Sequence, residues 1–369
     1  MSRLDHGPTL AHVVDGRENG FNAVRLLAAA AVVVSHSYAM IGAEHASEPL
    51  WGITPYTLGQ HAVNVFFVLS GLMLSRSYAL DPRLWRFAVA RILRVFPGLI
   101  ACGLVVAALI GALGTRLPLA SYFADPATLA YPLRVAVEFN RATLPAVFEH
   151  GTYAGSPNGS LWTIKYELMA YAAFVAAAAF GLVRSKAVAI VAVVLLTGAV
   201  IGLQLLPAVV DRWPALVPPG RFFLSFALGV AAYRYRERIS LRWLWLAAFL
   251  VLAVAAHETV LEQPAYIVLT GYLALMLGSV TAPAVSRFSA RTDLSYGLYL
   301  YAWPVQQLLL HRWPALDPVP HILLTLCGAI PLAATSWRLV ERPALDLKRL
   351  LHRGPPPALR PPLQPAGSS

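Results

Sequence analysis

The stretch Phe21 to Met40, FNAVRLLAAAAVVVSHSYAM, is apolar over the length of a bilayer crossing and yet holds two ionisable side chains, Arg25 and His36. A hydrocarbon core about 30 Å thick takes about 20 apolar residues in a helix, so the segment reads as a membrane span, and charge-bearing groups inside a span are costly enough to point to function. Eleven residues separate Arg25 from His36. At about 3.6 residues per turn this is about three turns, so both side chains leave one helix face about 16 Å apart along the axis. The competing structural reading has Arg25 snorkelling to a headgroup and His36 bonding to a neighbouring helix. The rest of the chain weighs between the two.

The 369 residues are 58% hydrophobic and only 13% charged, which excludes a soluble globule and gives a polytopic membrane protein. A formal net charge of +11 raises the question of nucleic acid. The Lys and Arg residues lie in short pieces between apolar runs, however, so a positive-inside topology accounts for them and no nucleic-acid face is expected. Cys102 and Cys327 both fall in apolar runs and make neither a disulfide framework nor a metal-type spacing. No small-residue cleavage site follows the first apolar run, which is expected to be retained as a span.

Apolar runs at 21–42, 61–78, 88–114, 160–183, 187–206, 218–233, 243–257, 264–281, 294–311 and 320–340 predict an all-α membrane protein of about ten transmembrane helices. The dense basic pieces, Arg76 to Arg94, Arg234 to Arg242 and the tail from Arg338, fall on one side of such a bundle, which places both termini in the cytoplasm. The expected organisation is a cytoplasmic segment 1–20, a transmembrane domain 21–343 and a Pro-rich cytoplasmic tail 344–369. The connection from about 115 to 159 is long and aromatic, with Tyr122, Phe123, Tyr131, Phe139, Phe148 and Tyr153. An interfacial aromatic belt, with room for one short extra helix, is the expected reading there.

Arg91 and Arg94, in RILRVFP, lie three apart and share a helix face at the same end of the bundle as Arg25. Planar guanidinium groups gathered at a membrane surface suit a phosphate-bearing ligand, although positive-inside flanks place arginines there too. Glu167, in SLWTIKYELMAY, is expected about 10 Å below the far boundary, the depth at which His36 also falls. A carboxylate beside an imidazole fixes its tautomer and makes it a better base, while a pairing of Glu167 with Lys165 is the structural alternative. Asn64, Ser70 and Gly71 in VNVFFVLSGLML, and Ser295, Tyr296 and Tyr299 in SYGLYLYAWPV, read as small-residue packing and interhelical hydrogen bonds.

Taken in order, these stretches resemble the acyltransferase-3 family, multispan bacterial proteins that O-acylate surface and exported glycans. The resemblance rests on an Arg followed eleven residues later by a His, FFVLSG at Phe66 to Gly71, RxxRxxP at Arg91 to Pro97, SLWTxxxE ending at Glu167, SYxxYL from Ser295 and a closing ERP at Glu341 to Pro343. It implies a stand-alone acyltransferase in the bacterial inner membrane, moving an acyl group, commonly acetyl, from acyl-CoA to a hydroxyl of a glycan. By motif position it implies His36 as catalytic residue with Glu167 in support, and Arg25, Arg91 and Arg94 on the CoA phosphates. Ser70, Trp162, Tyr296 and Tyr299 are implied as substrate or structural support. Such a transfer calls for no metal and no permanently bound cofactor. Where many relatives read YLxHxP, this chain has Tyr301, Ala302 and Trp303 before Pro304, so no His role carries over there. Intramembrane Arg, His and Glu also build transport pathways, which keeps a transporter or flippase as the alternative function, and an inactive glycan-binding relative as a third.

Overall fold

The computed structural model describes residues 7–16, 19–42, 48–280, 282, 284–287 and 292–351; most of the expected Pro-rich tail, and parts of the segment 1–20, lie outside the described residues. Among the described residues the chain is all-helical, with a few isolated bridges and no strand. The helices, in chain order, are α1 (Leu10–Asp15), α2 (Phe21–Ile41), α3 (Leu58–Leu80), α4 (Leu84–Val105), α5 (Leu119–Ala124), α6 (Pro126–Glu138), α7 (Ile164–Ala179), α8 (Lys186–Leu205), α9 (Pro207–Arg212), α10 (Val217–Arg234), α11 (Trp243–Ala255), α12 (Glu262–Val280), α13 (Ser295–Arg312), α14 (Pro318–Ser336) and α15 (Arg342–Leu351). Two π-turns, Val106–Gly111 and Trp337–Glu341, extend α4 and join α14 to α15.

Helix ends follow local chemistry. Thr57 opens α3 with a reciprocal capping box, its hydroxyl accepting from the Gln60 amide while the Gln60 side chain accepts from the Thr57 amide. Asp125 caps α6 ahead of Pro126 at the first helical position, and Gly42 ends α2 with a φ of 69°.

Seven helical segments, among the described residues, are long and apolar enough to cross a membrane: Phe21–Ile41, Leu58–Leu80, Leu84–Gly114, Lys186–Leu205, Pro214–Arg234, Glu262–Val280 and Pro318–Leu347. The other three expected spans are helical but fall short of that standard. Helices α7 and α11 have 16 and 13 residues, and α13 carries a run of polar side chains that includes Gln306 and Gln307. Seven is thus the count that length and composition support, against an expectation of about ten.

The bundle has a packed centre and an apolar rim. Helices α2, α3, α4, α7, α10 and α13 bury side chains in the largest core cluster, whereas α8 buries only Ala189 and Val200 and α11 only Ala253. Apolar side chains left outward on helices of this kind suit a lipid surface, because hydrocarbon replaces the protein partners a soluble helix would need. The closest crossing is α3 on α10. A Cβ at Gly71 would overlap the Phe226 carbonyl, and one at Gly229 would overlap that of Val68, so the two backbones meet through paired glycines. Gly71, singled out for packing, has that role.

The long 115–163 connection is more structured than a belt with one short helix. It forms α5 and α6 with short 3₁₀ turns, and Tyr122, Tyr131 and Phe148 are fully buried. The Tyr122 hydroxyl donates to the Ala107 carbonyl at 2.8 Å, inside the π-turn of α4. These aromatics are core. Phe123 and Tyr153 keep exposed surface.

Candidate active site

The site is built on two neighbouring helices, α2 and α13, which run side by side in the same direction. They meet at one end through Arg25 Nη1 and Asp293 Oδ2, 3.6 Å apart, just ahead of α13. Near the other end the His36 ring makes an edge contact with Trp303 at 4.9 Å between centroids. Deeper still, Gln306 Nε2 donates to the Val33 carbonyl at 2.9 Å and to Ser37 Oγ at 2.8 Å, fixing the register of the pair.

At the Arg25 end, Arg94 Nη2 donates to Asp293 Oδ2 at 2.6 Å, and Arg94 Nη1 lies 3.8 Å from Glu341 Oε2. The Ser295 amide and hydroxyl donate to Asp293 Oδ1 at 3.2 and 2.6 Å, and Ser336 Oγ donates to Glu341 at 3.0 Å. Burial alone would push the Asp293 carboxyl up, but the adjacent Arg94 and Arg25 and the Ser295 bonds outweigh it and hold the carboxyl down at about 2. Arg94 is therefore committed to two carboxylates, and its guanidinium also lies 5.4 Å from the Tyr296 ring centroid. Arg91, one turn earlier, forms no ion pair among the described residues; its guanidinium covers Phe87 at 5.6 Å and its Nε has no hydrogen-bond partner there. Gly98 makes the cluster possible, since a Cβ there would crowd both Tyr296 and the Glu341 side chain at about 3 Å.

Beside this cluster lies a small pocket of about 40 Å³, lined by residues that include Arg25, Ser70, Thr163, Glu167, Tyr296 and Tyr299. Tyr299 is part of that lining, and its hydroxyl bonds to Thr163 Oγ1 at 2.6 Å and to the Ser160 carbonyl at 2.8 Å. Trp303 lies four residues beyond Tyr299, hence on the same helix face one turn further on. His36 therefore sits about one turn past the end of the pocket and is not part of its lining.

The expected partnership of Glu167 with His36 does not form. Glu167 accepts a hydrogen bond from Tyr171, four residues on, and lines the Arg25 pocket, whereas the His36 ring packs on Trp303 and has no hydrogen-bond partner among the described residues. The structural alternative of Lys165 fares no better, since that ammonium covers Tyr166 at 4.8 Å. Trp162 packs between Tyr166 and Phe222, outside the pocket lining. The Tyr296 hydroxyl donates to the Val95 carbonyl at 2.8 Å, the interhelical bond expected of it. Neither polar atom of the Asn64 amide has a partner among the described residues, contrary to the bonding expected there.

Two residues carry more of this site than their motifs suggested. Asp293 lies two residues before the SYGLYL run and is the shared counter-ion of two arginines. Trp303, read only as part of a departure from a pattern, is held by Tyr153 at 4.9 Å and by its own Nε1 donating to the Ser156 carbonyl, over a glycine, Gly159, where any Cβ would overlap the indole.

The chain is thus a multi-pass helical bundle with a buried arginine and carboxylate cluster, a pocket beside it and an imidazole one turn beyond. The chain belongs to the acyltransferase-3 family, whose model, described as an acyltransferase domain, matches residues 18–338. It is 31% identical to nodulation protein 10 of Rhizobium leguminosarum bv. viciae over 374 residues, covering 94% of this chain and 98% of that protein. It is 29% identical to an O-acetyl transferase of Shigella phage Sf6 over 347 residues, covering 92% of this chain and 98% of the phage protein. No solved structure shows a significant match. The protein is thus a multi-pass membrane O-acyltransferase.

Proposed function

We propose that the enzyme transfers an acyl group, acetyl by the name of its phage relative, from acyl-CoA on the cytoplasmic side to a hydroxyl of a surface or exported glycan. The inner membrane of a bacterium is the setting, with both termini in the cytoplasm. The observation that carries this reading is the pairing of α2 with α13, which puts a cationic pocket and an uncommitted imidazole on one ribbon of structure.

Arg25 and Arg91 are the donor-binding candidates. Arg25 lines the pocket and is the more distant of the two arginines on Asp293, and Arg91 has no carboxylate partner among the described residues, so these two have the most charge left for phosphate oxygens. Arg94 has its charge answered by Asp293 and Glu341 and acts as the positioning residue of the cluster. The pantetheine arm follows the pocket past Ser70, Glu167 and Tyr296 toward Tyr299. Movement of the Tyr299 hydroxyl off Thr163 would join the pocket to His36.

At that point a neutral imidazole nitrogen of His36 takes the proton of the acceptor hydroxyl. The oxygen attacks the thioester carbonyl carbon, the C–S bond breaks, and the CoA thiolate leaves and is protonated. A thiol with an ordinary pKa of about 8.5 is a good leaving group, so the weakly acidic alcohol is what needs help, and the imidazole supplies it. The exposed Tyr153 and the adjoining Trp303 offer aromatic surface to a sugar ring beside that imidazole.

The test is transfer of labelled acetyl from acetyl-CoA by membranes containing wild-type or His36→Ala protein, read together with the mass of cell-surface polysaccharide. Loss of a general base lowers transfer by about 10²- to 10⁴-fold while the protein still inserts. Undiminished acylation in the variant removes His36 from the chemistry.

A further inference from the structure

Arg221 stands apart from the site described above. It lies in the second turn of α10, is 7% exposed, and forms no ion pair with any carboxylate among the described residues. Its guanidinium is held over two aromatic rings, Phe222 at 4.7 Å and Tyr56 at 5.2 Å, and its Nε is buried with no hydrogen-bond partner there. A guanidinium cannot shed its proton, so a buried and unanswered one is costly unless an anion comes to it. The nearby acid at the start of α12, Glu262, is already bonded to His257 at 2.8 Å.

Arg221 lines a cavity of about 250 Å³. Much of the wall is aliphatic, including Val200, Leu203, Pro207 and Val217; Gln263 supplies a second polar group, and the amide nitrogen of Gln204, which also lines the cavity, is already committed to the Val200 and Val260 carbonyls. The Tyr56 hydroxyl donates to Gln263 Oε1 at 3.3 Å, which turns the amide so that its nitrogen remains a donor. Asp211 also lines the cavity, but it is exposed, where water screens it. One desolvated cation, one amide donor and a greasy wall between spans make a site for a molecule with an anionic head and a hydrocarbon chain.

We propose that this cavity binds an anionic lipid, with Arg221 as counter-ion to its phosphate, Gln263 as second donor and the aliphatic wall holding part of an acyl chain. This does not rest on the donor and acceptor reading above, because lipid retention is measured without any transfer of acyl groups.

The experiment reconstitutes the full chain with phosphatidylglycerol and phosphatidylcholine at equal amounts, strips loosely held lipid with detergent, and counts the retained lipid by native mass spectrometry. Wild type retains phosphatidylglycerol in preference, and Arg221→Gln lowers that preference by about tenfold, the effect of removing one charged hydrogen-bonding partner. Arg221→Lys, which keeps the charge without the fork, falls between the two. Equal retention of both lipids by the wild type overturns the proposal, and so does an undiminished preference in Arg221→Gln. The wild-type comparison decides the matter even where the Gln variant fails to fold. Inorganic phosphate serves as the second probe. Protection of the wild type against heat by phosphate, absent in Arg221→Lys and not matched by phosphatidylglycerol, would show a soluble phosphate compound as the occupant and overturn the lipid assignment.

Discussion

Arg94 donates to Asp293 over 2.6 Å, joining α4 to the residue pair that opens α13 across 199 positions of sequence. Arg25 shares the same carboxylate oxygen at 3.6 Å, so one acid ties three segments together at one end of the bundle.

Replacing that acid with its neutral amide leaves the partly buried Arg25 unanswered and Arg94 with Glu341 alone. Asp293→Asn is expected to cost about 3–5 kcal/mol of stability, read as a lower melting temperature in detergent. The pH dependence has a definite sign. The folded carboxyl sits at about 2, below its ordinary value of 3.8, so its contribution is fully present above about pH 4 and is lost as pH falls through about 2. Wild type should lose melting temperature over that acid window through this group, and Asp293→Asn should lack that part of the loss.

Arg91 and Arg94 share a helix face but not a role. Arg94→Gln should lower the melting temperature, because Glu341 loses its cation and Asp293 loses the nearer of its two. Arg91→Gln, which breaks no ion pair among the described residues, should leave melting nearly unchanged and weaken acyl-CoA binding by about tenfold. Calorimetric titration with acyl-CoA alongside thermal unfolding separates the two. Equal behaviour of both variants in the two assays would contradict this division.

Trp303 packs edge-on against the His36 ring. Trp303→Ala frees the imidazole to turn, and a misplaced base loses about a hundredfold in kcat, with donor affinity unaffected. Trp303→Phe keeps an aromatic edge and should retain much of the rate. A Trp303→Ala variant that lost donor affinity instead of kcat would place the indole in the donor pocket.

The crossing of α3 on α10 should tolerate no methyl group. Gly71→Ala drives a Cβ into the Phe226 carbonyl and should cost about 1–3 kcal/mol or more, visible in thermal unfolding. Gly202, on the outward helix α8, has open space where a Cβ would go, with nothing within 4 Å, and Gly202→Ala should be neutral or slightly stabilising in the same measurement.

Much of this architecture was legible in the sequence, since every expected apolar run falls on a helix. Length alone misjudged α7 and α11, whose helices of 16 and 13 residues are shorter than the apolar runs that carry them. The spacing of Arg25 and His36 carried the course of α2. Pairings between distant segments were not readable. Depth arithmetic allowed Glu167 to approach His36, but it carries no rotational information, and the rotation of α7 turns Glu167 to Tyr171 and the Arg25 pocket. Asp293 escaped notice because its value comes entirely from Arg94 and Arg25, and Arg221 because a flanking arginine near a span end ordinarily needs no explanation.

The wide turn Trp337–Glu341 has a consequence for the end of the enzyme. An extra residue in a helical turn advances every later side chain by about 100° relative to an uninterrupted helix. Glu341 reaches Arg94 and Ser336 only in that advanced phase. Straightening that turn into a regular helix without shortening the chain would swing the carboxylate away from Arg94 and leave the closing ERP run intact as text but misaimed in space, whereas losing one residue of 337–340 together with the wide turn would keep it in phase.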